Sequence, residues 1–446
     1  MAGSTRSRPV DASTLERVFA RIDEEEACRL AMDLCAIPSP TGEEQAVAEF
    51  MLDWFGRQGF RSVRQEVESG RLNAVGILPG TAGATSLMFN GHLDTGTPMR
   101  HEDIVGVVPL APRPVAPRNE DGVLYGVGMD NMKSGIAAFM IATLAIKRSG
   151  IAPLGDIVMA GVAGEIGRAP VDQYQGRHYR SKGIGTRYLL THGIQSDYAI
   201  VADTSHFGLT WAECGVLYLK ISAQGRGLYT PFTSRTAEYR DSSNAILKMI
   251  PVIAVIEKWA ADYEKRSIYP FGGGEVHPKV SIGSIMAGAP FRVANTPLSC
   301  SIYVDIRVRP NAIPRDVLRE LLGVIVASGF EVTVEPYLTQ RGYEAEGAEP
   351  LIEAVRNAHQ VVVGQPVRTI HPGETSMWTD TNLYHEAGIP AVKFGIGGVL
   401  RDSPQGERFG KMRVPDTTGV DDLVKVSKMY AAAALTICGV GSDRQP

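Results

Sequence analysis

Residues 155–167 read GDIVMAGVAGEIG. The run from Ile157 to Ala163 is apolar without alternation, which suits a strand buried on both faces of an α/β sheet. A single carboxylate, Glu165, stands where that run ends, directly after Gly164. Functional side chains of open α/β sheets gather beyond the carboxyl ends of such strands. The same texture recurs outward in both directions. SLMFNGHLDT (86–95) is a second buried strand, ending in His92 and Asp94. SDYAIVAD (196–203) is a third, ending in Asp203. Between the first two lies MKSGIAAFMIATLAIKRSG (132–150), a strongly apolar helix fit to lie on a sheet. Upstream, 11–40 has apolar residues at helical spacing behind a capping Asp11 or Ser13, and 42–60 is an amphipathic helix closed by Gly59. Strands alternating with helices imply an α/β sheet with helices on both faces.

The texture changes near Gly215. GVLYLKISAQG (215–225) alternates like a half-exposed strand, and 242–265 is a long helix. KVSIGSIMAG (279–288), LSCSIYVDIRVRP (298–310), the helix 314–329 and FEVTVEPY (330–337) follow. Strand, helix, strand, strand, helix, strand is a ferredoxin-like α+β unit. The α/β texture then returns in PLIEAVRNAHQVV (350–362), IPAVKFGIGG (389–398) and a last helix from Asp421. The expected division is therefore 1–214 and 339–446 as one domain, with 215–338 inserted into it.

The bulk numbers exclude several classes. The chain has 446 residues, 44% hydrophobic and 21% charged, with a net charge of −4. Nothing in that balance favours nucleic acid or an anionic membrane as partner. No signal-peptide-like start or membrane-spanning apolar run is present, so a cytoplasmic protein is expected. The five cysteines, without CxxC spacing, fit a reducing compartment.

The segments carrying chemistry stand in a characteristic order. IPSPTGEE (37–44), NGHLDT (90–95), LYGVGMDNMKSG (124–135), GEIG (164–167) and IVADTSH (200–206) each fall at a strand end or helix start. With RVANTPLSCSIYVDIR (292–307) and AGIPAVKFGIGG (387–398), the series resembles the co-catalytic metallopeptidases and amidohydrolases. That family includes aminoacylase, acetylornithine deacetylase, succinyl-diaminopimelate desuccinylase and glutamate carboxypeptidase. The resemblance implies a zinc-peptidase-like α/β catalytic domain with an inserted ferredoxin-like lid and dimerisation domain, and hence a homo-oligomer. It also implies hydrolysis of a C–N bond in a small carboxylate-bearing substrate, by metal-activated water with a glutamate as general base.

Residue by residue, the resemblance makes His92 a metal ligand, Asp94 its orienting partner and Asp203 an acidic ligand. The family's bridging aspartate stands directly before Met-Lys; here that position is Asn131, and Asp130 precedes it. An asparagine oxygen is a poor bridge between two cations, and either Asn131 or Asp130 is the ligand. The family's Glu-Glu pair becomes Gly164-Glu165, so the position of the general base holds glycine. The final histidine ligand is missing as well. No histidine follows His385, and the corresponding stretch offers Arg413, which cannot ligate a cation. The histidine expected after GRG is replaced by LYTPFTS (228–234). One half-site survives. It implies one divalent ion on His92, Asn131 and Asp203, with Mn²⁺ preferred and Zn²⁺ or Fe²⁺ as alternatives. Glu165 is then the nearest base, or else a ligand or a structural carboxylate.

Asn295 aligns with an oxyanion donor, and Gly395 and Gly397 with a substrate-binding glycine loop. Arg307 aligns with a carboxylate-binding arginine, against a strand-end salt bridge as its alternative. Arg292 is a second guanidinium clamp. Asp380 matches a family aspartate. His206 and His371 read as structural, and His385 as helix surface. The altered site resembles most the 5-nitroanthranilate aminohydrolase branch of the family, which implies deamination of that aromatic amine to 5-nitrosalicylate. Deacylation of N-acyl amino acids is the alternative reaction, and a non-catalytic binding homologue the alternative class.

Overall fold

The computed structural model describes residues 10–96, 116–402 and 411–441. These divide into two compact units. The first comprises the chain up to Trp211, Ala345–His371 and the chain from Thr379; the second comprises Ala212–Glu344 and Pro372–Trp378.

A six-stranded sheet organises the first unit. Its order is Arg61–Glu68, Arg71–Leu78, Gly155–Val162, Ala84–His92, Tyr198–Val201, Ala391–Lys393. The last four strands run parallel, and the first two form an antiparallel hairpin joined antiparallel to Gly155–Val162. The three strands that end in candidate site residues are neighbours, as their unbroken apolar runs imply. The hairpin escaped the sequence reading. Its outer strand is largely exposed, whereas Arg71–Leu78 is buried almost throughout.

The period of two along Ala84–His92 shows how the sheet is covered. Phe89 stacks on Phe139 of the helix Ser134–Arg148 at 5.8 Å and meets Tyr430 of the helix Val420–Cys438 at 5.1 Å. Asn90 points to the other face, where its Nδ2 donates to Thr186 Oγ1 (3.0 Å) and Tyr384 Oη (2.9 Å). Those partners sit on the helices Ile184–Thr191 and Thr381–Glu386. Both faces are therefore packed, and Ser134–Arg148 is buried from Ser134 to Ile146. The stretch 11–40 forms two helices, Ala12–Phe19 and Glu24–Ala36, because Asp11 and Asp23 each cap one through Thr14 N (2.9 Å) and Glu26 N (2.7 Å).

The second unit is a four-stranded antiparallel sheet in the order Val280–Ala287, Ser299–Val308, Gly215–Gln224, Val332–Gln340. The helices Ala245–Arg266 and Pro314–Ala327 pack on it. Alternate residues Leu217, Leu219, Ile221 and Ala223 enter the core with Ile302, Val304, Ile306 and Val308. This is the ferredoxin-like arrangement. Its limits differ from the expected 215–338. The unit begins at Ala212, ends at Glu344 and recruits Pro372–Trp378. The recruited turn is tied down by Thr375 Oγ1, which donates to Glu275 O (2.8 Å), and by Cys214 N, which donates to Thr375 O (3.2 Å). Such distant pairings leave no local sequence signal.

All five cysteines are buried free thiols. Among the described residues no helix is long and apolar enough to cross a membrane.

Candidate metal and catalytic site

Register assembles the site. His92 lies opposite Val162 in the parallel pair, and Leu93 N donates to Val162 O at 2.8 Å. The chain leaving both strands therefore brings Asp94 and Glu165 to one place. Asn90 lies opposite Val201, and Ala202 N donates to Asn90 O at 2.9 Å, so Asp203 emerges beside them. Asn131 comes from the short turn Met129–Lys133 that precedes the apolar helix. The Asn131–Met132 peptide is cis.

His92 is fixed at both ring nitrogens. Nδ1 meets the backbone carbonyl of Asp94 at 2.9 Å, so that nitrogen donates. Nε2 faces Asn131 Oδ1 at 2.9 Å and Glu165 Oε2 at 3.8 Å. The contact holding the ring is therefore the Asp94 carbonyl. Its carboxylate, 3.5 Å from Nδ1, does other work. It accepts Glu165 N (2.9 Å), Ile166 N (3.1 Å) and Thr41 Oγ1 (2.9 Å), and so holds the Glu165 backbone in place.

The pocket around His92 carries a surplus of negative charge. Burial pushes the imidazole pKa down, but Glu165, Asp94, Asp203 and Asp380 outweigh it and raise the pKa to about 9. Glu165 itself is pushed up by burial, opposed by Lys182 and His92. Asp380 rises to about 8, chiefly through burial and then through Glu165. Thr186 Oγ1 donates to its Oδ2 at 2.6 Å, while Oδ1 is buried without a hydrogen-bond partner among the described residues. Asp203 is buried, and its Oδ1 accepts Thr204 N at 2.6 Å.

Asp130 and Asn131 separate. The Asp130 carboxylate accepts Asp416 N at 3.1 Å and lies 3.4 Å from Arg413 Nε. Burial raises its pKa and Arg413 opposes that rise. Arg413, at the position where a histidine was expected, thus forms an ion pair with the aspartate beside Asn131.

Gly164 has a left-handed φ of +67°, and a Cβ there would lie 2.4 Å from Arg71 Nη2. Arg71 is fully buried. Its Nε and Nη2 donate to the two oxygens of Glu44 at 2.8 and 2.5 Å, and its Nη1 donates to Arg177 O (2.9 Å) and Arg180 O (2.5 Å). A buried ion pair therefore fills the space toward which a side chain at 164 would grow. The sequence reading missed Arg71, the pairing role of Glu44, and Lys182. A lone arginine or lysine carries no motif, and a left-handed non-glycine residue such as Lys182, at φ +58°, is invisible in sequence.

The glycine loop packs closely. A Cβ at Gly395 would meet Asp203 O at 2.4 Å, and one at Gly397 the His206 ring at 2.4 Å. His206 Nε2 donates to Gly398 O at 3.2 Å, a structural contact. His371 is half-buried. His385 is not open helix surface: it is half-buried, and its Nε2 donates to Ala391 O at 2.9 Å.

Arg292, Asn295 and Arg307 belong to the second unit. Arg307 lies on the strand Ser299–Val308, where its Nη2 donates to Asp305 Oδ2 at 2.9 Å, the strand-end salt bridge. Arg292 and Asn295 lie in an exposed turn, where Asn295 N donates to Arg292 O at 3.2 Å.

Among the described residues no three His, Cys, Asp or Glu side chains gather as metal ligands. The convergent set includes an amide instead. His92 Nε2, Asn131 Oδ1 and Glu165 Oε2 face one another amid surplus carboxylate, with an orphaned Asp380 oxygen nearby. That surplus of carboxylate around one imidazole is the feature that suits a cation.

Comparison with known proteins agrees with this architecture. The model of peptidase family M20/M25/M40 matches residues 88–436. N-formyl-4-amino-5-aminomethyl-2-methylpyrimidine deformylase of Bacillus subtilis is 23% identical, over 93% of this chain and 95% of its own. The [LysW]-lysine hydrolase of Deinococcus radiodurans is 23% identical, over 87% and 92%. The crystal structure of human carnosine dipeptidase 1 superposes with a TM-score of 0.66 at 16% identity, over 97% and 100% of the two chains. With its sheet, its inserted unit and its strand-end site accounted for, the chain belongs to peptidase family M20/M25/M40 and is a hydrolase of C–N bonds.

Proposed function

We propose that this enzyme hydrolyses a C–N bond in a small carboxylate-bearing molecule with one divalent cation, held by His92, Asn131 and Asp203. Mn²⁺ is preferred because two of the three ligands are oxygens. A cation bound there lowers the pKa of adjacent water, which makes hydroxide available near neutral pH. The chain's own groups do the rest. The Asp94 carbonyl keeps the proton on His92 Nδ1 and leaves Nε2 as the ligand atom. The Asp94 carboxylate fixes the Glu165 backbone. Glu165 Oε2, 3.8 Å from His92 Nε2, accepts the proton of the attacking water.

The carrying observation is the Arg71–Glu44 pair behind Gly164, which leaves no room for a second glutamate. Glu165 is then the carboxylate that faces His92 Nε2. Our specific reading is the deamination of 5-nitroanthranilate. Water adds at the ring carbon bearing the amine and ammonia leaves, giving 5-nitrosalicylate. Amide hydrolysis is the second reading. It is favoured by the deformylase and lysine hydrolase relatives, which match most of the chain.

One preparation separates the two. Enzyme loaded with Mn²⁺ is expected to contain one metal per chain by plasma mass spectrometry and to release ammonia from 5-nitroanthranilate. Turnover of N-formyl or N-acyl amines without attack on the aromatic amine would select the second reading. Two bound metals per chain would reject the one-cation site.

A further inference from the structure

We propose that Lys182 is a positioning residue for Glu165 and confines this site to a single bound divalent cation. The inference rests on the one-cation reading above.

The placement follows from the backbone. Residues 163–166 and 181–185 lie side by side. Gly183 N donates to Gly164 O at 2.8 Å, and Gly185 N to Ala163 O at 2.9 Å. Ser181 Oγ donates to Ile166 O. Lys182 is thereby set opposite Glu165, between the bonds made by its two neighbours. Arg71 secures the approach to this segment from the other end, through the carbonyls of Arg177 and Arg180. Lys182 is also one of the few non-glycine residues with left-handed φ, at +58°. Such a backbone persists only where its surroundings over-determine it, and these outliers gather at functional sites.

The side chain is buried, with 5% of its surface exposed. A lysine is almost never buried without a charge to answer it. Its ammonium and the His92 imidazole are the two basic groups whose fields act on Glu165. Lys182 lies on the flanking strand-like segment, while His92 faces Glu165 Oε2 from the strand end. Glu165 thus has a buried lysine on the segment bonded alongside its own backbone, and the imidazole 3.8 Å from its Oε2. A second divalent ion brought to Glu165 would be repelled by that buried lysine charge, which solvent screens little. Lys182 thus supplies, as part of the chain, positive charge that a second metal would otherwise bring.

The experiment uses the full-length enzyme, stripped and titrated with Mn²⁺ alone by calorimetry, alongside kcat and KM. Lys182→Met keeps the volume and removes the charge. It is expected to bind Mn²⁺ about 10-fold more tightly or to take up a second equivalent, while kcat falls about 10²-fold with KM little changed. Lys182→Arg is expected to keep one equivalent and to recover much of the turnover. A merely structural lysine would give weaker metal binding and lower activity together. Unchanged or weakened Mn²⁺ binding in Lys182→Met overturns the proposal, as does unchanged kcat. Should Lys182→Met fail to fold, Lys182→Arg decides: two bound equivalents overturn the proposal and one supports it. Wild type with two metals would sink the one-cation reading before any variant is made. Wild type with one, and a Lys182→Met indistinguishable from it, would sink only the role of Lys182.

Discussion

Asn131 and Asp130 are adjacent in the chain and face opposite halves of the site. Asn131 turns its oxygen to His92, where four carboxylates surround one imidazole. Asp130 turns to Arg413, and behind Gly164 Glu44 is likewise clasped by Arg71. The carboxylates around His92 are short of positive charge, whereas Asp130 and Glu44 are each answered by an arginine. Buried carboxylates must be paired, protonated or metal-bound. The contrast therefore locates where an external cation is needed and where the chain already supplies one.

The His92 half should be the more fragile. His92→Ala is expected to abolish Mn²⁺ binding and all measurable turnover, because it removes the nitrogen ligand of the proposed three-ligand site. Metal content after dialysis checks this, and full occupancy in the variant would show that the cation-hungry half has been misplaced.

Next in size is Glu165→Gln. It should keep fold and metal but lower kcat by about 10²–10⁴-fold, the usual worth of a general base. If excess Mn²⁺ restores turnover instead, Glu165 is a ligand and the division of labour between the halves shifts.

The arginine-neutralised pair is tested through Gly164, which abuts Arg71. Gly164→Ala should destabilise the fold by about 1–3 kcal/mol in urea melts, from left-handed strain and the crowded Arg71 guanidinium. Gly164→Glu should add to that cost and leave amide hydrolysis no faster. A clear gain in amide hydrolysis would mean a damaged peptidase in place of a rebuilt site.

The smallest effect sharpens the electrostatic contrast. His385 is pushed by burial to about 4 against the pull of its bond to the Ala391 carbonyl, while His92 is raised to about 9. The folded pKa of His385 lies below its ordinary value of 6.5. Unfolded chains therefore take up its proton first as pH falls. The stabilisation is full above pH 6.5 and is lost between there and about 4, at no more than about 1.4 kcal/mol per pH unit. His385→Gln should flatten that part of the stability profile; an unchanged slope would place the effect elsewhere.

Much of this was legible in the chain. Unbroken apolar runs ending in His92, Glu165 and Asp203 marked buried strands of an α/β sheet and the candidate residues at their ends, because a strand packed on both faces admits no polar alternation. The alternation in 215–225 marked the inserted sheet for the opposite reason. The departures at Gly164, Asn131 and Arg413 were visible as well. The hairpin at 61–78 was not, since an exposed edge strand carries little apolar signal.

By itself, the sequence determined the element types, the insertion and the residue types available at each strand end, because periodicity and side-chain chemistry are local properties. Only the tertiary structure decided which of two adjacent residues turns to His92, that the Asp94 carbonyl holds the ring, that Arg71 occupies the space behind Gly164, and that Lys182 stands opposite Glu165. Each of those depends on register and burial between segments far apart in the chain, where a contact leaves no mark on local composition and the balance of charge is set by what else is buried beside it.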